Sequence, residues 1–235
     1  MDVNDLVRST RTAVDRDGFT TFRAGDRDEF LAFCRALGTV LPHRDGDADG
    51  VTRVRVVQAA RGVAGLAGLG AGALDPHTDG SGTAHPPKYI VMWCRQAADH
   101  GGDCVVVDGR QVVADLTAEA SWALAALSQR TAVVFRSGEE QYTGPVIVRT
   151  PDGHRWRLRL DTHGYFSADV QHALARLREA IARRTRTMRL EPGEGYVLDN
   201  EVMLHGRSAF GGDREMLRVL LGDLRPPRTA LTLVE

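Results

Sequence analysis

Residues 195 to 224 read GYVLDNEVMLHGRSAFGGDREMLRVLLGDL, and they contain three β-prone runs: GYVL, EVML and REMLRVLLGDL. His205 directly follows the second run, and Arg214 and Arg218 fall in the third. Residues four apart share one face of a strand, and the neighbours on both faces of this strand are mostly apolar. Two buried arginines need anionic partners, and a dicarboxylate is one, because guanidinium binds carboxylate in a bidentate manner. The alternative is an edge strand whose arginines reach solvent.

A second stretch, ALDPHTDGSGTAHPP at 73 to 87, places His77 two positions before Asp79. Residues i and i+2 of a strand point to the same side, so both side chains could reach one metal ion. The pair alone also fits a surface turn. Together with His205, however, it supplies two imidazoles and one carboxylate, which is the facial triad of non-heme Fe(II) oxygenases. The same donors also suit zinc, so a metal hydrolase is an alternative.

The remaining pattern alternates short strands with a few amphipathic helices. Helices are predicted at 4–18, 25–38, 117–128 and 167–184, and strands at 19–22, 51–57, 89–94, 104–107, 131–136, 145–150 and 155–161. No repeat or linker divides the chain, which predicts one domain over residues 1–235. This pattern predicts a mainly β, α+β fold with helices packed on one side of a jelly-roll sandwich or barrel.

Three local patterns carry further expectations. Asp26 with Glu29 resembles a capping box for the second helix, and Thr117 is the expected N-cap of the third. Residues 61–77 are rich in glycine and without a clean period, which predicts a long loop that closes over the site as a lid. The arginines at 155, 157 and 159 alternate with apolar residues, which favours the solvated face of a half-buried strand over an anion site.

Composition excludes several classes of protein. The net charge of −1 is atypical of a dedicated nucleic-acid binder. The three cysteines form no C-x-x-C pattern, the N-terminus has no signal-peptide core, and no apolar run approaches the length of a membrane span. We therefore expect a cytoplasmic protein that binds neither membrane nor nucleic acid. Nothing in the sequence indicates its oligomeric state.

The segments HTDGSGTAHPPKYIVMWC, GGDCVVVDG, EPGEGYVLDNEVMLHGRSAF and DREMLR together resemble the Fe(II)/2-oxoglutarate-dependent oxygenases of the taurine dioxygenase and clavaminate synthase group. The resemblance runs from about Gly18 to Leu224. It implies a distorted double-stranded β-helix, the jelly-roll fold of that group, with flanking helices. It also implies Fe(II) held by His77, Asp79 and His205, with 2-oxoglutarate and O2 as cosubstrates.

The same resemblance assigns roles to individual residues. Arg214 is similar to the arginine that binds the distal carboxylate of 2-oxoglutarate, although the roles of Arg214 and Arg218 could be reversed. Arg218 resembles a second arginine that meets an acidic group of the substrate in some members. Cys104 stands near a position where the family commonly has Ser or Thr to assist in holding the cosubstrate, and a thiol is a weaker hydrogen-bonding group. His85 lies a few residues after His77 and Asp79 and is a candidate substrate contact.

The implied activity is hydroxylation of an unactivated carbon in a small molecule, with succinate and CO2 as coproducts. Arg218 favours an acidic or amino-acid-like substrate, and a step in making a specialised metabolite is plausible. The same oxidant could serve desaturation or ring formation. Two other interpretations stay open, a zinc-dependent hydrolase and an inactive metal-binding module, and formation of succinate separates both from the oxygenase.

Overall fold

A computed structural model describes residues 3–57, 67–161 and 164–224 of the chain. The helices are α1 (Val3–Asp17), α2 (Arg27–Leu37), α3 (Gly109–Glu119), α4 (Ser121–Leu127) and α5 (Ala168–Arg184). The strands are β1 (Phe19–Arg23), β2 (Val40–Leu41), β3 (Val51–Arg55), β4 (Leu74–His77), β5 (Tyr89–Gln96), β6 (His100–Gly101), β7 (Cys104–Asp108), β8 (Val133–Ser137), β9 (Glu140–Gly144), β10 (Ile147–Thr150), β11 (Gly153–Trp156), β12 (Gly164–Phe166), β13 (Thr185–Met188), β14 (Glu194–Asp199), β15 (Met203–Arg207), β16 (Phe210–Gly211) and β17 (Glu215–Leu221). Within these ranges no helix is both long and apolar enough to cross a membrane.

Two antiparallel sheets form the centre of the fold. The larger one has the strand order β1-β14-β5-β17-β2, with β3 also paired to β17. The second has the order β13-β7-β15-β4. Neighbours in both sheets are distant in sequence, because the chain crosses repeatedly from one sheet to the other. The remaining strands form three small sheets, β12-β8-β9, β10-β11 and β16-β6.

The space between the sheets is filled by alternate residues of their strands. In β5, Ile90 and Met92 belong to a core that also contains Cys104 of β7 and Met203 of β15. The intervening Val91 and Trp93 belong to a different core with the helices α1 and α2. Period-2 alternation with both faces buried is what a β-sandwich requires of a central strand. The predicted jelly roll is confirmed.

Helices cover both outer faces of the sandwich, so the expectation that they pack on one side is wrong. Phe30 of α2 is fully buried and stacks on Trp93, with ring centroids 5.7 Å apart. On the opposite side, Leu177 of α5 packs in a core with Val107 and Leu204 of the second sheet. Each sheet carries apolar side chains on its outer face, and each therefore needs its own layer of helices.

Local predictions of helix ends are partly confirmed. The Asp26 side chain accepts a hydrogen bond from the Glu29 amide at 2.9 Å, as a cap of α2 should. Thr117 is not an N-cap, because it lies in the last turns of α3 and donates to the Val113 carbonyl at 2.7 Å. The predicted helix at 117–128 is instead two helices, because its first residues end α3 and the rest form α4. Asp108 caps α3, and its carboxylate accepts from the Arg110 amide at 2.9 Å. Ala120, which has no side-chain oxygen, is at the N-cap of α4.

The predicted strand at 155–161 ends early, at Trp156. Beyond that point the fully buried Leu158 hydrogen-bonds Thr78 instead of a neighbouring strand. Its amide donates to the Thr78 hydroxyl at 3.0 Å, and its carbonyl accepts from the Thr78 amide at 2.9 Å. Segment 157–161 is thereby fixed beside the chain that carries the predicted metal ligands.

Candidate active site

The three predicted metal ligands converge between the two sheets. His77 ends β4 and is the register partner of His205 in β15, and Asp79 follows two residues later. Asp79 Oδ1 lies 3.5 Å from His77 Nε2 and 3.7 Å from His205 Nε2. The close approach of β4 to β15 requires Gly206, where an added Cβ would lie 2.3 Å from the Leu74 carbonyl oxygen. The arrangement expected from spacing is therefore built by strand pairing.

A clamp of hydrogen bonds and one ion pair holds Asp79. The buried Asn200 side chain accepts from the Asp79 amide at 2.8 Å and donates to the carbonyls of Asp79 at 3.0 Å and of Pro87 at 2.8 Å. Arg218 Nη1 donates to Asp79 Oδ2 at 2.7 Å. Burial alone raises the pKa of Asp79, but the Arg218 charge and the two imidazoles outweigh burial and hold that pKa well below its usual value. Asp79 is thus ionised, with Oδ1 left free to bind a cation.

The two imidazoles are also prepared to bind a metal. His77 Nδ1 lies 2.9 Å from the Asp75 carbonyl, which fixes a proton on Nδ1 and leaves the Nε2 lone pair for a ligand. Burial, then the neighbouring His77, Arg218 and Arg159, lowers the pKa of His205 to about 3, so this ring is neutral. One ligand atom from each of the three residues lies within 4.8 Å of the others. Two imidazoles and one carboxylate on one side of an open cavity fit Fe(II).

Arg214 is buried in the same cavity. A Cβ at Gly102, whose φ is +73°, would lie 3.1 Å from Arg214 Cδ and Nε, so this glycine makes room for the arginine. The Phe210 ring lies 5.5 Å from the Arg214 guanidinium carbon. In the part of the chain that the structure describes, no carboxylate forms an ion pair with Arg214. A buried guanidinium without a carboxylate partner indicates that an anionic ligand binds here.

Cys104 lies on the inner face of β7 and lines the cavity near Arg214. Burial raises the pKa of its thiol to about 11, although the charge of Arg214 opposes this. The thiol is therefore neutral and can donate one weak hydrogen bond.

Arg218 belongs to an interior strand rather than an edge strand, because β17 pairs with β5 on one side and with β2 and β3 on the other. It shares the inward face with Met216 and Leu220, as predicted. Its ion-pair partner is Asp79, so the Arg218 guanidinium is not available to the substrate alone. A second guanidinium nitrogen, Nη2, lies 3.4 Å from His43 Nε2, and the buried Nε has no hydrogen-bond partner among the described residues.

A cavity of about 630 Å³ contains the triad, Arg214, Cys104 and Arg218. This volume is in the range that small-molecule sites occupy. His85 is exposed and lines the rim of the cavity, so it is positioned to meet a bound molecule.

Part of the glycine-rich segment lies over this cavity, and residues 58–66 fall outside the described residues. The buried Arg207 donates to the carbonyls of Gly68 at 2.9 Å and Gly72 at 3.1 Å, and also to that of Gly70. The Phe210 ring is 5.0 Å from the Arg207 guanidinium carbon, and the Phe210 amide donates to the Ala71 carbonyl at 3.0 Å. In this structure the segment 68–72 is therefore tied to the strand that carries His205.

Sequence reasoning missed three residues of the site: Asn200, Arg207 and His43. Asn200 follows a predicted strand as an ordinary turn residue would, and its partner Asp79 lies 121 positions away. Arg207 had one usable signal, since it is two residues after His205 and so shares its face of the strand. His43 lies in a polar stretch with no periodic pattern.

Residues 2–220 match the model of the family described as taurine catabolism dioxygenase TauD, TfdA family. The chain belongs to this family, which confirms the resemblance found in the sequence.

Two curated relatives show how the family varies. The chain is 27% identical over 202 residues to L-asparagine oxygenase of Streptomyces coelicolor, a match that covers 81% of this chain and 59% of the relative. It is 30% identical over 167 residues to a uridine-5'-phosphate dioxygenase of a Streptomyces species, covering 63% of this chain and 60% of the relative. The chain thus spans about three fifths of the length of these two curated relatives.

Solved structures show the same fold. Asparagine oxygenase in complex with Fe(II), 3-hydroxyasparagine and succinate superimposes with a TM-score of 0.77 at 20% identity, covering 92% of this chain and 79% of the other. The non-heme iron oxygenase OrfP with Fe and alpha-ketoglutaric acid gives a TM-score of 0.73 at 18% identity, covering 93% and 79%.

Proposed function

We propose that this protein is an Fe(II)/2-oxoglutarate-dependent dioxygenase that hydroxylates an unactivated carbon of a small acidic or amino-acid-like molecule. One observation carries the proposal: the His77, Asp79 and His205 ligand atoms converge in a cavity that also holds Arg214, a buried cation with no carboxylate partner among the described residues. A metal site alone would suit many enzymes. A metal site beside a buried guanidinium suits an oxoacid cosubstrate.

The first task of the protein is to hold the metal on one side only. His77 and His205 offer Nε2, and Asp79 offers Oδ1. Because Arg218 engages Oδ2, Asp79 would hold a bound metal through Oδ1. When bound, Fe(II) with 2-oxoglutarate and O2 supplies the oxidant for hydroxylation, with succinate and CO2 as coproducts.

The second task is to bind and orient the cosubstrate and the substrate. Arg214 receives the distal carboxylate of 2-oxoglutarate through its guanidinium, and the neutral thiol of Cys104 donates a weaker hydrogen bond to the same ligand. Arg218, already held by Asp79, uses its remaining edge for an acidic group of the substrate, and His85 contacts the substrate from the rim. The apolar walls of the cavity, including Met92 and Leu220, exclude water around these groups.

Domain organisation and compartment belong to the same proposal. We place residues 1–235 in one domain of this type, since residues of both sheets share a single inner core. The three cysteines are free and buried, which fits a reducing cytoplasm.

The test is an anaerobic titration of apo-protein with Fe(II) and 2-oxoglutarate, monitored by visible absorption for the charge-transfer band of the iron-bound oxoacid. We expect the band in the parent protein, and at least a tenfold weaker affinity for 2-oxoglutarate in Arg214→Ala, because a charge-assisted hydrogen bond contributes roughly 1.5–3 kcal/mol. Arg155→Ala is the matched control, since Arg155 is exposed and pairs with Glu201 outside the cavity.

Two results would contradict the proposal. The absence of a band together with tight zinc binding would favour a hydrolase. Succinate formation in air that persists in Asp79→Ala would refute the assigned triad.

A further inference from the structure

Two side chains of opposite charge line the cavity and have no role in the proposed metal or cosubstrate sites. Arg159 lies in the segment after β11, and Glu140 begins β9. The two come from different elements and face the same space as the triad. Their charges are therefore presented to whatever molecule occupies the cavity above the metal site.

Arg159 is a fixed cation with one free edge. It is half-buried, and its Nε donates to Asp161 Oδ2 at 3.1 Å, with Nη2 on the same oxygen. Among the described residues its Nη1 has no hydrogen-bond partner. Arg159 lines the same cavity as His77, Asp79 and His205. The predicted solvated face is thus wrong for this residue, because the strand ends before it.

Glu140 is an exposed residue of the cavity lining. Its Oε2 accepts from the Ala84 amide at 3.3 Å, which leaves Oε1 without a hydrogen bond among the described residues. The wall itself is braced by Arg157, which donates to the Thr83 carbonyl at 2.7 Å and lies 4.0 Å from the centre of the Tyr142 ring. One hydrogen bond from a backbone amide therefore keeps the carboxylate at the cavity, and this bond leaves its negative charge available to a ligand.

We infer that the substrate is an amino acid in its zwitterionic form, with its carboxylate on Arg159 and an ammonium group on Glu140. This inference rests on the proposed function and narrows its substrate class. A guanidinium edge selects a carboxylate, and a free carboxylate oxygen selects a cationic amine. A simple dicarboxylic acid or a nucleotide phosphate would use Arg159 but would be repelled by Glu140, so the pair of opposite charges distinguishes these ligands.

The experiment measures succinate formed by the iron-loaded enzyme above the background seen without substrate. The probes are the standard L-amino acids with ornithine, β-alanine and γ-aminobutyrate, together with the amide and N-acetyl forms of any that stimulate. Small diacids other than succinate, which is the measured product, and uridine monophosphate represent the competing substrate classes. We expect an amino acid to stimulate, and its amide and N-acetyl forms to stimulate far less.

Two variants and their controls then test the residues. Arg159→Met should raise KM for the stimulating amino acid roughly 10- to 100-fold. It should leave the background succinate rate and the 2-oxoglutarate band unchanged. Arg159→Lys should recover part of the loss. Glu140→Gln should raise KM about two- to fivefold, since this carboxylate is exposed. Arg155→Met and Glu139→Gln, which remove like charges outside the cavity, should match the parent.

A thermodynamic cycle, in which the enzyme and the substrate are each altered, tests whether Arg159 itself binds the substrate carboxylate. If Arg159 binds the carboxylate, the amide substrate has already lost that contact, so Arg159→Met should cost little more with the amide.

The inference is overturned if only diacids or the nucleotide stimulate, if no probe stimulates, or if Arg159→Met behaves as Arg155→Met. In these cases the background rate of succinate formation and the charge-transfer band of the iron-bound oxoacid would still support the proposed function. A parent protein with neither band nor succinate would overturn both.

Discussion

Replacing Asn200 with Ala should remove the hydrogen bonds that hold the segment containing Asp79 against the rest of the fold. The Asn200 side chain makes three hydrogen bonds, at 2.8, 3.0 and 2.8 Å, to the backbone on either side of the 79–87 loop. Truncation leaves one amide and two carbonyls without these partners in a buried region. An unpaired buried group costs about 1–3 kcal/mol, and part of this is recovered by relaxation or entry of water. We therefore expect the free energy of unfolding to fall by about 3–5 kcal/mol.

Thermal unfolding of the apo-protein measures this loss. For a chain of this size each kcal/mol corresponds to about 2–4 °C, so the melting temperature should drop by roughly 6–20 °C. Fe(II) affinity should fall as well, by roughly 10- to 100-fold, since Asp79 loses its anchor. Gln129→Ala, which removes an exposed side-chain amide, is the control and should change neither quantity. A melting temperature within 2 °C of the parent, or unchanged Fe(II) affinity, would refute the reasoning.

Three further predictions concern other parts of the site. Arg218→Met leaves Asp79 as an unpaired buried charge, so urea unfolding of the apo-protein should show a loss of about 3–5 kcal/mol, and a loss below about 1 kcal/mol would contradict the ion pair. Arg207→Ala should speed cleavage within residues 68–72 by a non-specific protease at least about tenfold, because several charge-assisted hydrogen bonds are lost. Equal cleavage rates in this variant and in Arg155→Ala would contradict the proposal that Arg207 holds this segment. Burial raises the pKa of the thiols of Cys94 and Cys104 to about 11, above 9.0 for an exposed thiol. Between these two pH values unfolding releases protons, so the free energy of unfolding should fall as pH rises from about 9 to about 11. A urea midpoint independent of pH over that range would argue against this linkage.

The proposed metal ligands could be predicted from the sequence because their signals are local. His77 and Asp79 are two positions apart, and His205 directly follows an apolar run, so period-2 geometry alone predicts which side chains share a face. The same rule placed Arg214 and Arg218 inside the sandwich. Residue type then indicated the chemistry, since two imidazoles and a carboxylate favour Fe(II), and buried guanidinium groups require anions.

Tertiary structure decided what those residues contact. Arg218 was expected to meet substrate, and that role stays a prediction. The pairing of β17 with β5 also brings it to Asp79 Oδ2, a contact between residues 139 positions apart. Asn200 clamps a loop 121 positions earlier, and no spacing rule connects the two. Arg159 fits an alternating strand in sequence, yet the strand stops at Trp156 and the side chain enters the cavity. Local sequence fixes the face on which a side chain lies, whereas its partner depends on how distant strands pair, and that is a property of the whole fold.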